Sequence, residues 1–455
     1  MLWRSLLLML FMVLALPSWG QDTKLAQQYY VDGEYEKAAY YYQRLYEARP
    51  NQDYYFNRYI DCLNALEQFD DSEKAIKKEL KKSPEKIQLY VTLGNLYELQ
   101  FLDTEAEEQY TKAIKRLPAD RYIITKLAQG FTTLTKYDLA IEAYEKGAKL
   151  LKDEYVFAFN LGDLYRRKGN SELMIRNYLN SLQDNPSRMN SLKNNFQRYL
   201  SDEDYDELKK QLYTRIQEDK ESVMYPELLI WIFLQEKNYR SALRQVKALD
   251  RRLEENGGRV YRVAEIALID EDYNSTISAC QYILDNHGPI SSFYLDAKKM
   301  MLRAKQQKVV TTPSYTKEDL AELEKEYASF LEEFGKTRST AAIMAAWAEL
   351  EAQYVNNLGL AIEILLEMIE LPGVDRIVRA RGKVALADYY LMQGERWEAT
   401  LLYSQVDKDF EEDYLGHEAR FRNARLSYFV GDFEWAQSQF EVLKASTSKL
   451  IANDA

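Results

Sequence analysis

One register constrains this chain more than any other feature: small and apolar residues recur every 34 positions for eight consecutive units, without one insertion or deletion. The column through Gly94 reads Ala26, Ile60, Gly94, Ala128, Gly162, Phe196, Ile230, Ala264, and three residues on it reads Tyr29, Leu63, Tyr97, Phe131, Tyr165, Tyr199, Phe233, Ala267. Twelve residues after the first column come Ala38, Ser72, Ala106, Ala140, Met174, Leu208, Ala242, Thr276, and four further on Tyr42, Ile76, Tyr110, Tyr144, Tyr178, Leu212, Val246, Cys280. Within a unit the apolar residues fall at i, i+3, i+4, i+7, as in Tyr90, Leu93, Gly94, Tyr97, which predicts an amphipathic helix for each half and an antiparallel helix pair for each unit. Pro50, Pro84, Pro118 and Pro186 close four of the first five units. Glycine costs a helix interior about 1 kcal/mol against alanine, so Gly94 and Gly162 imply close approach of the paired helix, with Ala106 and Met174 as the expected partners. Unit six departs from this pattern: Phe196 faces Leu208, two large side chains at one crossing, which predicts helices forced apart or crossing at a different angle, and a bend in the superhelix between 187 and 222.

These columns resemble the tetratricopeptide repeat: small, aromatic, small, aromatic and proline at fixed offsets in a 34-residue unit. The resemblance covers roughly nine-tenths of the chain beyond residue 20 and is stronger in units one to five than in six to eight. It implies an all-α fold, a right-handed α-solenoid superhelix of stacked antiparallel helix pairs of about 11 units, with a concave groove lined by the first helix of each pair. The expected organisation is a signal peptide over 1–20, an array of eight units over 21–290, an irregular helical hairpin connector over 291–336, and longer units of 37–38 residues over 337–455. The last of these stop in a run that starts another first helix with Leu450 and Ile451, so the native product is expected to continue or the chain to be a fragment. In the connector, Thr316 followed by Asp319 has the pattern of a capping box.

The first twenty residues carry the single charge Arg4, then an apolar run over 6–16, then Pro17, Ser18, Trp19 and Gly20. That is the layout of a secretory leader with cleavage before Gln21, too short to anchor in a bilayer. The expectation is an exported protein, periplasmic or envelope-associated or secreted, with no integral membrane span. Sixty basic against 72 acidic residues give a net charge of −12, which disfavours nucleic acid as a partner. Two cysteines (Cys62, Cys280) and two histidines (His287, His417) leave little for a metal site or a histidine-dependent triad, and both cysteines read as core residues. No catalytic residue, cofactor site or metal site is expected, and the chain is not read as an enzyme.

Candidate binding residues lie one position round from the core stripe: Asn57, Asp61 and Asn64; Asn95 and Glu98; Thr125, Gln129 and Thr132; Asp163 and Arg166. The i, i+4, i+7 spacing puts each set on one helical face, where amides and short carboxylates can bond the backbone of an extended peptide. A solvated face with no ligand is the competing reading. Trp231 falls in the same column, while Trp347, Trp397 and Trp435 read as core. The pattern by which some of these repeats hold a carboxyl terminus is not met by Thr23 with Gln27, Asn57 with Asp61 or Val91 with Asn95. The acidic run Asp407, Asp409, Glu411, Glu412, Asp413 reads as a solvated turn, and the basic set Arg376, Arg379, Arg381, Lys383 as pairing with nearby acids. The expected function is a noncatalytic scaffold or adaptor that binds an extended segment of a partner protein, in assembly of an envelope or surface complex. The alternatives are self-association and a helical regulatory region of a longer enzyme.

Overall fold

The computed structural model describes residues 19–411 and 413–444. The expected leader and its cleavage point, Glu412, and Leu450 with Ile451 lie wholly or largely outside them. The described chain is helical, with no strand: α1 (Trp19–Val31), α2 (Tyr35–Ala48), α3 (Asp53–Ala65), α4 (Phe69–Lys82), α5 (Gln88–Leu99), α6 (Asp103–Lys115), α7 (Arg121–Thr133), α8 (Tyr137–Leu151), α9 (Ala158–Arg167), α10 (Ser171–Asp184), α11 (Met189–Tyr199) and α12 (Asp202–Glu218) come first. Then follow α13 (Met224–Gln235), α14 (Tyr239–Leu253), α15 (Gly258–Ile269), α16 (Tyr273–Asn286), α17 (Tyr294–Val310), α18 (Lys317–Phe334), α19 (Ala341–Leu350), α20 (Leu358–Glu370), α21 (Arg376–Gln393), α22 (Arg396–Asp409), α23 (Tyr414–Phe429) and α24 (Phe433–Lys444). Consecutive helices pack as antiparallel pairs, an α-solenoid build of stacked hairpins. The chain divides into two compact units, one ending at Glu218 and one starting at Asp219.

The hairpins repeat because their turns do. Seven residues after the Gly94 column the backbone enters the left-handed region at Gly33, Glu67, Phe101, Thr135 and Gly169, then at Lys237 and Glu271, and in the longer units at Asn356, Gly394 and Gly431. At each of the first seven, the following N–H donates to the carbonyl five residues back, as in Leu102 to Tyr97 and Lys136 to Phe131, both at 2.9 Å. This is the bond that closes a Schellman turn. The aromatic column therefore supplies the turn's acceptor carbonyls as well as core rings. Where the left-handed residue is not glycine the fold carries strain of order 1–2 kcal/mol.

Unit six breaks the rule in the expected place. Its link has Leu200 extended, and Ser201 N–H donates to Asp204 Oδ2 at 2.9 Å while Asp204 N–H returns to Ser201 Oγ. Phe196 and Leu208 are both fully buried, and the backbones of α11 and α12 scarcely come within 8 Å of each other, unlike the helices of the other hairpins. Two large side chains at one crossing have opened the pair.

The glycines pack against other partners than their spacing predicts. A Cβ on Gly94 would lie 2.4 Å from the Tyr110 ring and one on Gly162 would lie 2.6 Å from the Tyr178 ring. The close partner is thus the aromatic sixteen residues on, not Ala106 or Met174. Tyr42, Tyr110, Tyr178 and Tyr403 are all buried in that column. Most of their hydroxyls reach back to a polar group of the first helix: Tyr42 to Gln27 at 3.1 Å, Tyr110 to Glu98 at 3.0 Å, and Tyr403 to Asp388. Tyr42, Tyr110 and Tyr403 thus each place a large ring in the core with its polar tip at the first helix.

In the second unit, Thr316 caps α18 and the Asp319 side chain accepts the Thr316 N–H at 2.8 Å. A single π turn, Glu351–Val355, follows α19. Asp250, fully buried, accepts the Gly257 N–H at 2.7 Å and the Tyr282 hydroxyl at 3.0 Å and is bonded to His287 Nε2 at 2.6 Å, tying α14, α15 and α16 together. Cys62 and Cys280 are buried and unpaired, and burial pushes both thiols up to about 12. Trp397 is not core, as its 70% exposure shows; Trp435 is also exposed, and Trp347 is half-buried.

Candidate functional site

In the first unit the first helices converge on one side. Asp53, at the start of α3, accepts Lys86 at 3.2 Å just before α5 and Lys126 on α7 at 3.0 Å. Lys126 belongs to the hairpin two along, and two spacings of about 8–10 Å would separate the axes in a flat row. An Asp–Lys pair reaches across that span only if α3 and α7 curl toward each other, which puts the first helices on the inner side of the curve. Burial pushes the Asp53 carboxyl up, but Lys126 and Lys86 outweigh it and hold it below the usual range.

The candidate residues of the first unit, from Asn57 to Arg166, all sit on these first helices, but most of their polar groups are already engaged. Asp61 accepts Arg58 at 3.4 Å and Asn64 Oδ1 accepts the Ser72 hydroxyl at 2.7 Å. Glu98 takes both the Tyr110 hydroxyl and the Lys136 ammonium. Thr132 and Thr125 donate back to carbonyls of their own helix, each at 2.8 Å. Asp163 is held by Arg166 at 2.6 Å and Arg167 at 3.0 Å; burial raises its carboxyl and the two guanidiniums more than offset that, leaving it depressed. Arg166 also lies 4.4 Å from the Tyr199 ring centroid. Asn57, Asn95 and Gln129 keep side-chain groups with no hydrogen bond among the described residues. Trp231, half-buried on α13, belongs to the second unit.

The second unit holds a cleft that the 34-residue columns do not mark. It has a volume of about 620 Å³ and runs across four successive first helices, α15, α17, α19 and α21. Its floor is small: Ala342, Ala345 and Ala346 from α19, and Ala385 from α21. Gly382 lines it too, and a Cβ there would meet the Met368 methyl at 2.2 Å, so Met368 would have to shift. Gln307 and Gln353 offer amides. Lys299 pairs with Asp296 at 3.2 Å, and Asp388 is taken by Arg422 and Tyr403. Arg303, Arg381 and Glu349, all exposed, have no ion pair among the described residues. The longer repeat of this half, interrupted by the connector and the π turn, hid the alignment of these positions. Alanines on an apolar helix also read as core, and only the run of them at i, i+3, i+4 signals a face without bulk.

The basic set around Arg381 is engaged differently from the expectation. Arg379 donates to the Leu371 carbonyl at 2.7 Å, Arg376 to the Asp409 carbonyl, and Lys383 to Gln405 at 2.9 Å, so carbonyl and amide oxygens rather than carboxylates take these cations. In the acidic run, Asp407 is bound by Arg420 at 2.9 Å. Among the described residues there is no cluster of three His, Cys, Asp or Glu able to hold a metal ion, and no helix long and apolar enough to cross a membrane.

No protein-family model matches the chain, and no curated protein matches it. Among solved structures, it is similar to the Cut9–Hcn1 hetero-tetramer of APC/C, at 12% identity with a TM-score of 0.35, covering 98% of this chain and 96% of that one. It is similar also to Naa15/Naa10 bound to HypK-THB, at 14% identity and a TM-score of 0.30, covering 95% and 69%. A third, the P58(IPK) TPR domain, is 14% identical with a TM-score of 0.25, covering 91% and 99%.

Proposed function

We propose that the chain is an exported, noncatalytic scaffold that holds an extended segment of a partner protein along its first helices, in assembly of an envelope or surface complex. The observation that carries this reading is the cleft over α15, α17, α19 and α21, where α17, α19 with its π turn, and α21 present amides and charges over a floor of alanines and α15 adds Tyr261 and Leu268. A peptide main chain needs such a floor to approach the helices, and needs hydrogen-bonding side chains at intervals along it. In the first unit, the inward-curling helices leave Asn57, Asn95 and Gln129 with unused amides for the same purpose.

The test places a photo-crosslinking residue at Gln353 or Gln129, and, as controls on second helices, at Lys149 or Glu332, in protein produced in its native envelope. Adducts of one size from the two groove positions and none from the controls are expected. Equal labelling from both faces, or none from the groove, contradicts the reading. Mature protein beginning at Gln21 is the expected result of export, and retention of residues 1–20 would oppose it.

A further inference from the structure

The cleft of the second unit carries charges that its own chain does not use. Of its three cations, Lys299 is matched by Asp296, and of its three acids, Asp388 is matched by Arg422 from α23. What remains is Arg303 on α17 and Arg381 on α21, facing one free acid, Glu349 on α19. The first unit's strip differs: Asp61, Glu98, Asp163 and Arg166 are each paired within the array. A protein with 72 acidic residues has left two guanidiniums unpaired at one groove, and guanidinium is the group whose fork of donors fits a carboxylate.

We propose that this cleft docks an acidic extended segment of a partner protein, with Arg303 and Arg381 as its two carboxylate contacts. The proposal rests on the scaffold reading above and specifies the partner's chemistry. Four helices about 8–10 Å apart give a track of roughly 24–30 Å, which at about 3.3 Å per residue takes about eight residues of extended chain. Ala345, Ala346 and Ala385 leave room for the main chain, and Gln307 and Gln353 can bond it. The chain's net charge of −12 opposes an acidic partner at long range, but at physiological salt that repulsion is screened beyond about 8 Å. The two cations inside the cleft act at contact distance and dominate.

Fluorescence polarisation of the full chain with fluorescein-labelled nonapeptides tests this, using alternating Asp–Ser, Asn–Ser and Lys–Ser probes at about 150 mM salt. The Asp probe is expected to bind at least about tenfold more tightly than the Asn probe, and the R303Q/R381Q double variant to abolish that difference. Glu349→Gln is expected to tighten the Asp probe several-fold, a gain that misfolding cannot imitate. Equal binding of Asp and Asn probes, untouched by the double variant, overturns the acid preference and leaves the scaffold reading standing. Absence of binding by every probe, together with blank crosslinking at Gln353, overturns both. A concentration-dependent dimer lost in the double variant assigns the cleft to a second copy of the chain and also overturns the proposal.

Discussion

Adding one methyl at Gly94 tests the packing of the hairpins where it is tightest. The new Cβ would sit 2.4 Å from Cε1 and 2.7 Å from Cδ1 of Tyr110, so the ring must move by about 1 Å to restore ordinary contact. Little room exists: Tyr110 is 3% exposed, its ring packs edge-on to Phe131 at 5.5 Å, and its hydroxyl is held by Glu98, which also binds Lys136. Overpacking of this kind costs about 1–3 kcal/mol, and loosening a hydrogen bond to a charged acceptor costs about 1.5–3 kcal/mol. Against these stands the helix-propensity gain of Gly→Ala, about 1 kcal/mol. The balance is a destabilisation of about 1.5–5 kcal/mol. Ala128 tolerates Tyr144 in the same column one unit on, where the residue four positions along is Thr132 in place of Glu98, so the cost is expected to shrink in a Glu98→Thr background. The assay is hydrogen exchange of α5 and α6 under native conditions, because an array need not unfold in one step. A Gly94→Ala chain with unchanged or slower exchange there would show that propensity outweighs packing and refute the argument.

Three further outcomes follow from the same structure. Thr135, a β-branched residue at φ 59°, closes its turn in the left-handed region; Thr135→Gly is expected to stabilise its hairpin by about 1 kcal/mol, read as a higher urea midpoint, and a lower midpoint would contradict the strain assigned there. Asp250→Ala removes the acceptor of the Gly257 N–H and the Tyr282 hydroxyl and the partner of His287, with an expected cost of about 3 kcal/mol in thermal unfolding of the second unit, and an unchanged melting temperature would refute its role. Glu351 is fully buried, bonded by Trp347 Nε1–H at 2.8 Å, and raised to about 7, first by burial and then by Glu324 beside it. Because the fold favours its neutral acid, stability is complete below the unfolded value near 4.5 and falls as pH rises through about 7, by up to about 3 kcal/mol. Glu351→Gln should flatten this dependence between pH 5 and 8.5, as followed by the urea midpoint at each pH, and an unchanged slope would exclude Glu351 as its source.

The hairpin array was legible because its signal is periodic and repeated: Ala26 to Ala264 and Tyr29 to Ala267 occupy matching places at one spacing, and no single residue has to be decisive. The opening of unit six was also legible, since Phe196 and Leu208 are too large for one crossing whatever their detailed contacts. The turn column was not. Glu67, Phe101, Thr135, Lys237 and Glu271 give no compositional hint of a left-handed backbone; the Schellman bonds impose it once both helices are in place. The candidate residues of the first unit lie on first helices, as their spacing predicts, yet sequence could not show the long-range contacts that consume groups such as Glu98 and Asn64. Lys136 reaches Glu98, 38 positions away, only through three-dimensional geometry, although Arg167 with Asp163 is an i, i+4 pair that helical spacing alone allows. The cleft at Arg303 and Arg381 was hidden for a related reason: its helices follow no single spacing, and an unpaired charge is visible only when its neighbours are known.

A scaffold of the kind proposed carries its partner on the first helices and leaves the second ones free. Hydrogen exchange of the full chain with and without saturating Asp–Ser nonapeptide tests this most directly. Slowed exchange confined to α15, α17, α19 and α21 is the result expected. Slowed exchange on α16, α18, α20 and α22, or no change on any helix under conditions of measured binding, would contradict it.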